Sequence, residues 1–263
     1  MRFSSVSTTL FAVASLLAVS ALPGCGAPPK KVHTDENAPV ETGAADGSLP
    51  DGECTGAACV SACEKVGRPL DCLASAHAQL EGGEGVVKSI PKAIAALEKS
   101  CTGNDADGCM ELGRLHKDGV EGVTASAAKA VPFFEKACTA KDRNGCYELG
   151  EIYGGGGDVP EDANNYVKFH TLGCDLGRGQ SCDLLAKRAE TGAGGKKDHA
   201  AAIGFLVKGC SAVDFQAWTC ASLKEAVTKK DKLAVKAVDA WKKACESKDA
   251  KDEKACEYLT RIK

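Results

Sequence analysis

The chain has 263 residues, 44% hydrophobic and 26% charged, which fits one or two domains and excludes both a wholly disordered chain and a multi-span membrane protein. A net charge of −3 gives no electrostatic case for nucleic acid or anionic lipid as a partner. Aromatic residues are only 5%, against 29 glycines and 15 cysteines, so a large aromatic-packed core is excluded and the cysteines become the leading clue.

At the N-terminus, Arg2 supplies a short positive start, and the mostly apolar run from Leu10 to Leu22 is too short to span a bilayer comfortably. The run Leu22-Pro23-Gly24-Cys25 resembles the lipobox of bacterial lipoproteins, in which cleavage leaves an N-terminal cysteine that carries lipid. That resemblance implies a signal peptide over residues 1–24 and lipidation at Cys25. Gly26 follows where Asp would signal inner-membrane retention, so the expected address is the outer membrane, facing the periplasm. An ordinary secreted protein cut near Ala21 is the alternative. Cleavage removes Arg2 and no acid, moving the net charge to −4. Residues 26–53 are Pro, Gly, Ala and mixed charge with hardly an apolar cluster, and cannot bury enough surface to offset their ordering entropy. Residues 25–53 therefore read as a lipidated cysteine and a disordered tether, with an r.m.s. reach of about 30 Å.

From residue 54 onward the cysteines organise the chain. Export implies an oxidising compartment, so disulfides take precedence over metal ligands. With Cys25 occupied by lipid, fourteen cysteines remain, which allow about 135,000 pairings. Spacing narrows this, because they fall into couples: Cys63/Cys72, Cys101/Cys109, Cys138/Cys146, Cys174/Cys182, Cys210/Cys220 and Cys245/Cys256. First members recur after 38, 37, 36, 36 and 35 residues, a period typical of stacked supersecondary units. Cys54 and Cys59 are left over, before and within a truncated helix near residues 56–66. They are assigned to each other, although nothing in the spacing decides it.

Upstream of each first cysteine stands a helix, B. Ile94, Val131, Val167, Ile203 and Val238 lie seven positions before it, and Leu97, Phe134, His170, Leu206 and Trp241 four before, which with the cysteine make one helical face. The residue just before is always small: Ser100, Ala137, Gly173, Gly209, Ala244. Ser89, Ser126, Asp162 and Asp198, twelve before, are good N-caps. Pro132 inside one of these helices predicts a later helix start there. Downstream of each second cysteine stands another helix, A. Leu112, Leu149, Leu185, Leu223 and Leu259 follow three on, and Ala76, Gly113, Gly150 and Ala186 four on, small enough for close crossing. Lys224 and Thr260 break that last pattern. Glycine-rich A-to-B connectors such as Gly82-Gly83, Gly154 to Gly157 and Gly194-Gly195 suit helix ends. Each unit is an αα-hairpin, and each couple joins the end of one B helix to the start of the next A helix.

The strings Gly-Cys-Met-Glu-Leu-Gly-Arg-Leu-His (108–116) and Gly-Cys-Tyr-Glu-Leu-Gly-Glu-Ile-Tyr (145–153) resemble helix A of Sel-one-like repeats, and Lys-Ala-Cys (136–138 and 243–245) resembles the end of their helix B. These repeats are relatives of tetratricopeptide repeats, and the resemblance, closest to a secreted cysteine-rich branch, covers about residues 60–263. It implies an all-α fold, a right-handed α-solenoid of five to six disulfide-linked hairpins over residues 54–263. It also implies two functions: interaction scaffold, or, from the names often given to that branch, β-lactamase or penicillin-binding protein.

The residues favour the scaffold. Ser89-Ile-Pro-Lys92 and Ser126-Ala-Ala-Lys129 fit the S-x-x-K pattern of serine β-lactamases, but both serines fall on helix N-caps, and no S-D-N or K-T-G follows. No H-x-H-x-D or H-E-x-x-H exists, and His33, His77, His116, His170 and His199 share no metal-ligand spacing. The expectation is no catalytic residue, no metal and no cofactor. What remains is the wall presented by the A helices, with Glu111, Arg114, Tyr147, Glu148, Glu151, Asp183 and Lys187 projecting from it. Tyr and Arg are favoured at hot spots, so Tyr147 and Arg114 rank first. The expected partner is another envelope or secreted protein or peptide, bound by a monomer held to the membrane through Cys25.

Overall fold

The computed structural model describes residues 54–83, 85–247 and 252–263. The expected signal peptide, Cys25 and the tether lie outside them. Twelve helices follow in order: α1 Gly56–Lys65, α2 Pro69–Glu81, α3 Ile90–Thr102, α4 Ala106–Asp118, α5 Ala127–Thr139, α6 Arg143–Tyr153, α7 Ala163–Asp175, α8 Gly179–Thr191, α9 His199–Cys210, α10 Ala217–Thr228, α11 Lys232–Glu246 and α12 Glu253–Arg261. No strand forms among the described residues; isolated bridges, Gly83 to Val86 and Val120 to Val123, tighten two connectors. No described helix is long and apolar enough to cross a membrane.

Even-numbered helices are the A helices and odd-numbered ones the B helices. Five A–B hairpins, α2–α3 to α10–α11, are flanked by a lone B helix, α1, and a lone A helix, α12. Helices pack mainly on their chain neighbours, and the buried apolar residues form four clusters in succession along the stack. This is the nearest-neighbour construction of an α-solenoid.

Local chemistry explains the boundaries. Ser126, Asp162 and Asp198 cap α5, α7 and α9, each side-chain oxygen accepting from backbone amides of the first turn. Ser89 is the N-cap of α3 without a side-chain bond. The delayed start expected from Pro132 does not occur, since α5 begins at Ala127 and runs through the proline. Its first turn is held twice. Ser126 Oγ accepts from the Lys129 amide at 3.2 Å, and Asp158, reaching back from the next connector, accepts from the Ala128 amide at 2.9 Å and from the Ser126 hydroxyl at 2.7 Å. With that start secured and Pro132 on the exposed face, the helix tolerates one missing hydrogen bond.

Six disulfides clasp successive helices at the B-to-A joints: Cys63–Cys72, Cys101–Cys109, Cys138–Cys146, Cys174–Cys182, Cys210–Cys220 and Cys245–Cys256. A seventh, Cys54–Cys59, ties Cys54, two residues before α1, into that helix. Every second cysteine of the six stands at the fourth position of its A helix. At the three central joints the geometry also accounts for the small residue before the first cysteine, because a second small residue precedes the other cysteine and the two meet. A Cβ on Gly108 would lie 2.2 Å from Ser100 Oγ, one on Gly145 2.8 Å from Ala137 Cβ, and one on Gly173 2.7 Å from Ser181 Oγ. Small size is thus shared between the two positions.

Inside each hairpin the crossing works similarly. Gly113 on α4 faces the ring of Phe134 on α5, and Gly150 on α6 faces His170 on α7, both at distances that leave no space for a Cβ. His170 is fully buried at the place where α5 has Phe134. The α10–α11 hairpin departs from this rule. Lys224 occupies the small-residue position and is exposed, and Trp241 packs against Tyr258 on α12 with ring centroids 5.4 Å apart.

A polar wall and an open groove on the A helices

The wall residues are not isolated side chains. Most of them bridge one A helix to the next. On α4, both Glu111 oxygens lie 2.7–2.8 Å from His77 Nε2 on α2. Glu148 on α6 accepts from Lys117 on α4 at 2.6 Å. The Tyr147 hydroxyl accepts from Gln180 Nε2 on α8 at 2.7 Å, and the Arg178 guanidinium lies 4.9 Å from the Tyr147 ring centre. Burial and the neighbouring Glu151 carboxylate push the Tyr147 hydroxyl up to about 12, so it is a neutral donor and acceptor at physiological pH. Arg114 is exposed and makes no ion pair with a described residue. Sequence spacing missed the partners His77, Lys117, Arg178 and Gln180, which lie 31–34 residues from the groups they meet. A near-period separation was the available signal, but the partner types change from hairpin to hairpin.

Glu151 takes part in a different arrangement. Its carboxylate lies 3.3 Å from His170 Nε2, a contact that holds it below the usual carboxylate range, and His170 Nδ1 is 3.3 Å from Ser181 Oγ. Serine, imidazole and carboxylate in line are the parts of a hydrolase triad. Ser181, however, is fully buried against Gly173 at the α7–α8 joint, and the imidazole is enclosed by the edge-on rings of Tyr147 and Tyr166. A substrate has no path to that hydroxyl, so the trio is a packing device. The S-x-x-K serines sit at helix starts, and the Ser126 hydroxyl is occupied by Asp158 and the Lys129 amide. Among the described residues no three potential metal ligands cluster.

Further along the wall the packing opens. A groove of about 430 Å³ lies between α8 and α10 over α9. Its floor is Ala186, Ala202, Ile203, Leu206 and Ala226, and its rim carries Asp183, Lys187, Glu190, His199, Glu225, Lys229 and Asp231 together with the exposed Ser222. Asp183 and Lys187 are thus brought to one groove, 2.8 Å apart, with Asp183 nearly buried and also 3.5 Å from Thr219 Oγ1 on α10. Glu111, Arg114, Tyr147, Glu148 and Glu151 are not among the lining residues.

His199, the first residue of α9, bridges Glu190 on α8 at 3.0 Å and Asp231, the N-cap of α11, at 2.7 Å. These bonds, Asp231's foremost, raise the imidazole above its ordinary 6.5. A pKa raised by folding adds stability that is fully present below the unfolded value and is lost as pH rises through the folded one. The His199 resonance is therefore expected to titrate with a midpoint above 6.5 in an NMR pH series. Asp231→Asn, which keeps a good N-cap, should bring the midpoint down; an unchanged midpoint would remove Asp231 as the cause.

No family model matches the sequence, and no curated protein matches it. Solved structures do. A Sel1 repeat protein from Oxalobacter formigenes superposes with a TM-score of 0.53 at 18% identity, over 76% of this chain and 89% of that one. A protective antigen present in uropathogenic Escherichia coli strains, displaying an SLR fold, gives 0.55 at 17% identity over 76% of this chain. The match spans only 46% of the antigen. At these identities the likeness establishes the fold, that of Sel1 repeat proteins.

Proposed function

We propose that the protein is an envelope-anchored repeat scaffold that binds another protein, or an extended peptide, along the wall of its A helices. One observation carries this reading: equivalent positions on successive A helices line up as a polar wall that ends in an open groove of about 430 Å³, a size typical of binding sites. The anchoring rests on the sequence of residues 1–25, where a lipidated Cys25 would hold the scaffold at the outer membrane facing the periplasm. The β-lactam-hydrolysing alternative requires an accessible serine nucleophile with its partner motifs; the Ser126 hydroxyl is occupied as a cap, Ser181 is buried, and no S-D-N or K-T-G accompanies Ser89.

Crosslinking in intact membranes, followed by capture of the full chain, tests the scaffold. A crosslinked partner is expected with the unsubstituted protein and is expected to be lost with Arg114→Ala plus Tyr147→Ala; identical capture by both removes the wall. Cys25→Ala should release the protein from the membrane fraction. Turnover of a chromogenic cephalosporin that disappears with Ser126→Ala would replace this reading with the enzymatic one.

A further inference from the structure

We infer that the groove between α8 and α10 is a receptor for a lysine or arginine side chain presented by a basic peptide segment of the partner. This inference rests on the scaffold reading and specifies the chemistry of what the scaffold takes.

The preceding hairpin shows what the groove lacks. At the corresponding place between α6 and α8, Tyr166 from α7 fills the gap, and the Arg188 guanidinium from α8 lies 5.1 Å from its ring centre. One repeat later the residue equivalent to Tyr166 is Ala202, and the residue equivalent to Arg188 is Ala226. His170 is likewise replaced by Leu206. The protein itself therefore places an arginine across this face in one repeat and leaves the same place empty in the next.

The lining suits such an occupant. A lysine or arginine carries an aliphatic stem that packs on apolar surface while its charged head stays at a polar edge. The floor from Ala186 to Ala226 is aliphatic, and the rim bears four carboxylates against two ammonium groups and one imidazole. Asp183 is the deepest acid, its side chain 5% exposed, and the Lys187 that covers it is 67% exposed. The Glu225–Lys229 pair is similarly exposed on both sides. The doubly exposed Glu225–Lys229 pair is of the weak kind, and at Asp183 an incoming cation that displaces the exposed Lys187 ammonium keeps the nearly buried carboxylate paired. A guanidinium fits better than an ammonium, because its planar fork engages a carboxylate through two bonds.

The test uses the full chain and fluorescently labelled, end-blocked alanine–serine peptides whose central residue is arginine, lysine, norleucine or glutamate, read by anisotropy. The arginine and lysine peptides are expected to bind at least about tenfold more tightly than the norleucine and glutamate ones, with the difference shrinking at high salt. Ala202→Tyr plus Ala226→Arg, which rebuilds the pair of the preceding hairpin, is expected to abolish binding. If that variant does not fold, as judged by circular dichroism, Glu190→Gln plus Glu225→Gln on the exposed rim serves instead, with an expected weakening of several-fold. Equal binding of norleucine and arginine, no binding of any peptide at millimolar concentration, or undiminished binding by a folded groove variant overturns the inference. Such a failure, with crosslinked capture still dependent on Arg114 and Tyr147, would leave the scaffold reading standing.

Discussion

Complete reduction is expected to unfold the protein at temperatures where the oxidised form is native. In the chain-entropy description, closing a loop of about nine residues contributes roughly 2.6 kcal/mol, and six such clasps reach about 15 kcal/mol as a ceiling, comparable with the whole stability of a typical domain. The rest of the core cannot make up that loss. Its buried residues are dominated by alanine and by the half-cystines themselves, and Phe134 is the only fully buried phenylalanine among the described residues. Thermal melts followed by far-ultraviolet circular dichroism, with and without reductant, measure the effect. Midpoints within a few degrees of one another would show that packing alone sustains the stack. Cys138→Ser plus Cys146→Ser, which opens one joint, should cost about 2–5 kcal/mol in chemical denaturation.

The second large effect reverses a common rule. Gly→Ala inside a helix ordinarily stabilises by about 1 kcal/mol. At Gly113 the new methyl would sit 2.5–2.9 Å from three ring carbons of Phe134, which is fully buried and has nowhere to move. Gly113→Ala should therefore destabilise by about 1–3 kcal/mol. Phe134→Ala, which empties the same contact, should cost about 3–5 kcal/mol. Combining Gly113→Ala with Phe134→Leu recreates the Ala76 and Leu97 combination of the first hairpin, where both residues share one apolar cluster. The double variant is expected to be more stable than Gly113→Ala alone, and urea midpoints of the unsubstituted protein, Gly113→Ala, Phe134→Leu and the double variant give the coupling. A simple sum of the single effects would mean that the ring and the missing methyl do not meet.

The hairpin register was legible because three independent marks repeat together: the cysteine couples, the small residue four places after the first four of the second cysteines, and the Ser or Asp at the start of four B helices. Any one alone would have been ambiguous. The second small residue of the three central joints stands in the sequence as Gly108, Gly145 and Ser181, yet its meaning emerges only when the two helix ends are brought into contact. Pro132 misled because the compensating Asp158 lies 26 residues away in another connector. Asp214 is a similar case. It caps α8 from the next joint, bonding the Gly179 amide at 2.6 Å and Arg178 at 2.5 Å, a task performed for α4 and α6 by their own Asp105 and Asp142. The groove was least visible of all. It arises from alanines standing where one repeat earlier had a tyrosine and an arginine, and an alanine in a helix leaves no motif to notice.

The disulfides have one more property. Read from the N-terminal side, the fourteen cysteines of the described domain pair strictly as neighbours, first with second, third with fourth, through to the last two. A chain emerging end-first into an oxidising space can therefore be stitched by the simplest procedure, each new thiol to the one still waiting, with no reshuffling afterwards. An unblocked thiol at Cys25 would shift that procedure by one and misjoin every clasp downstream.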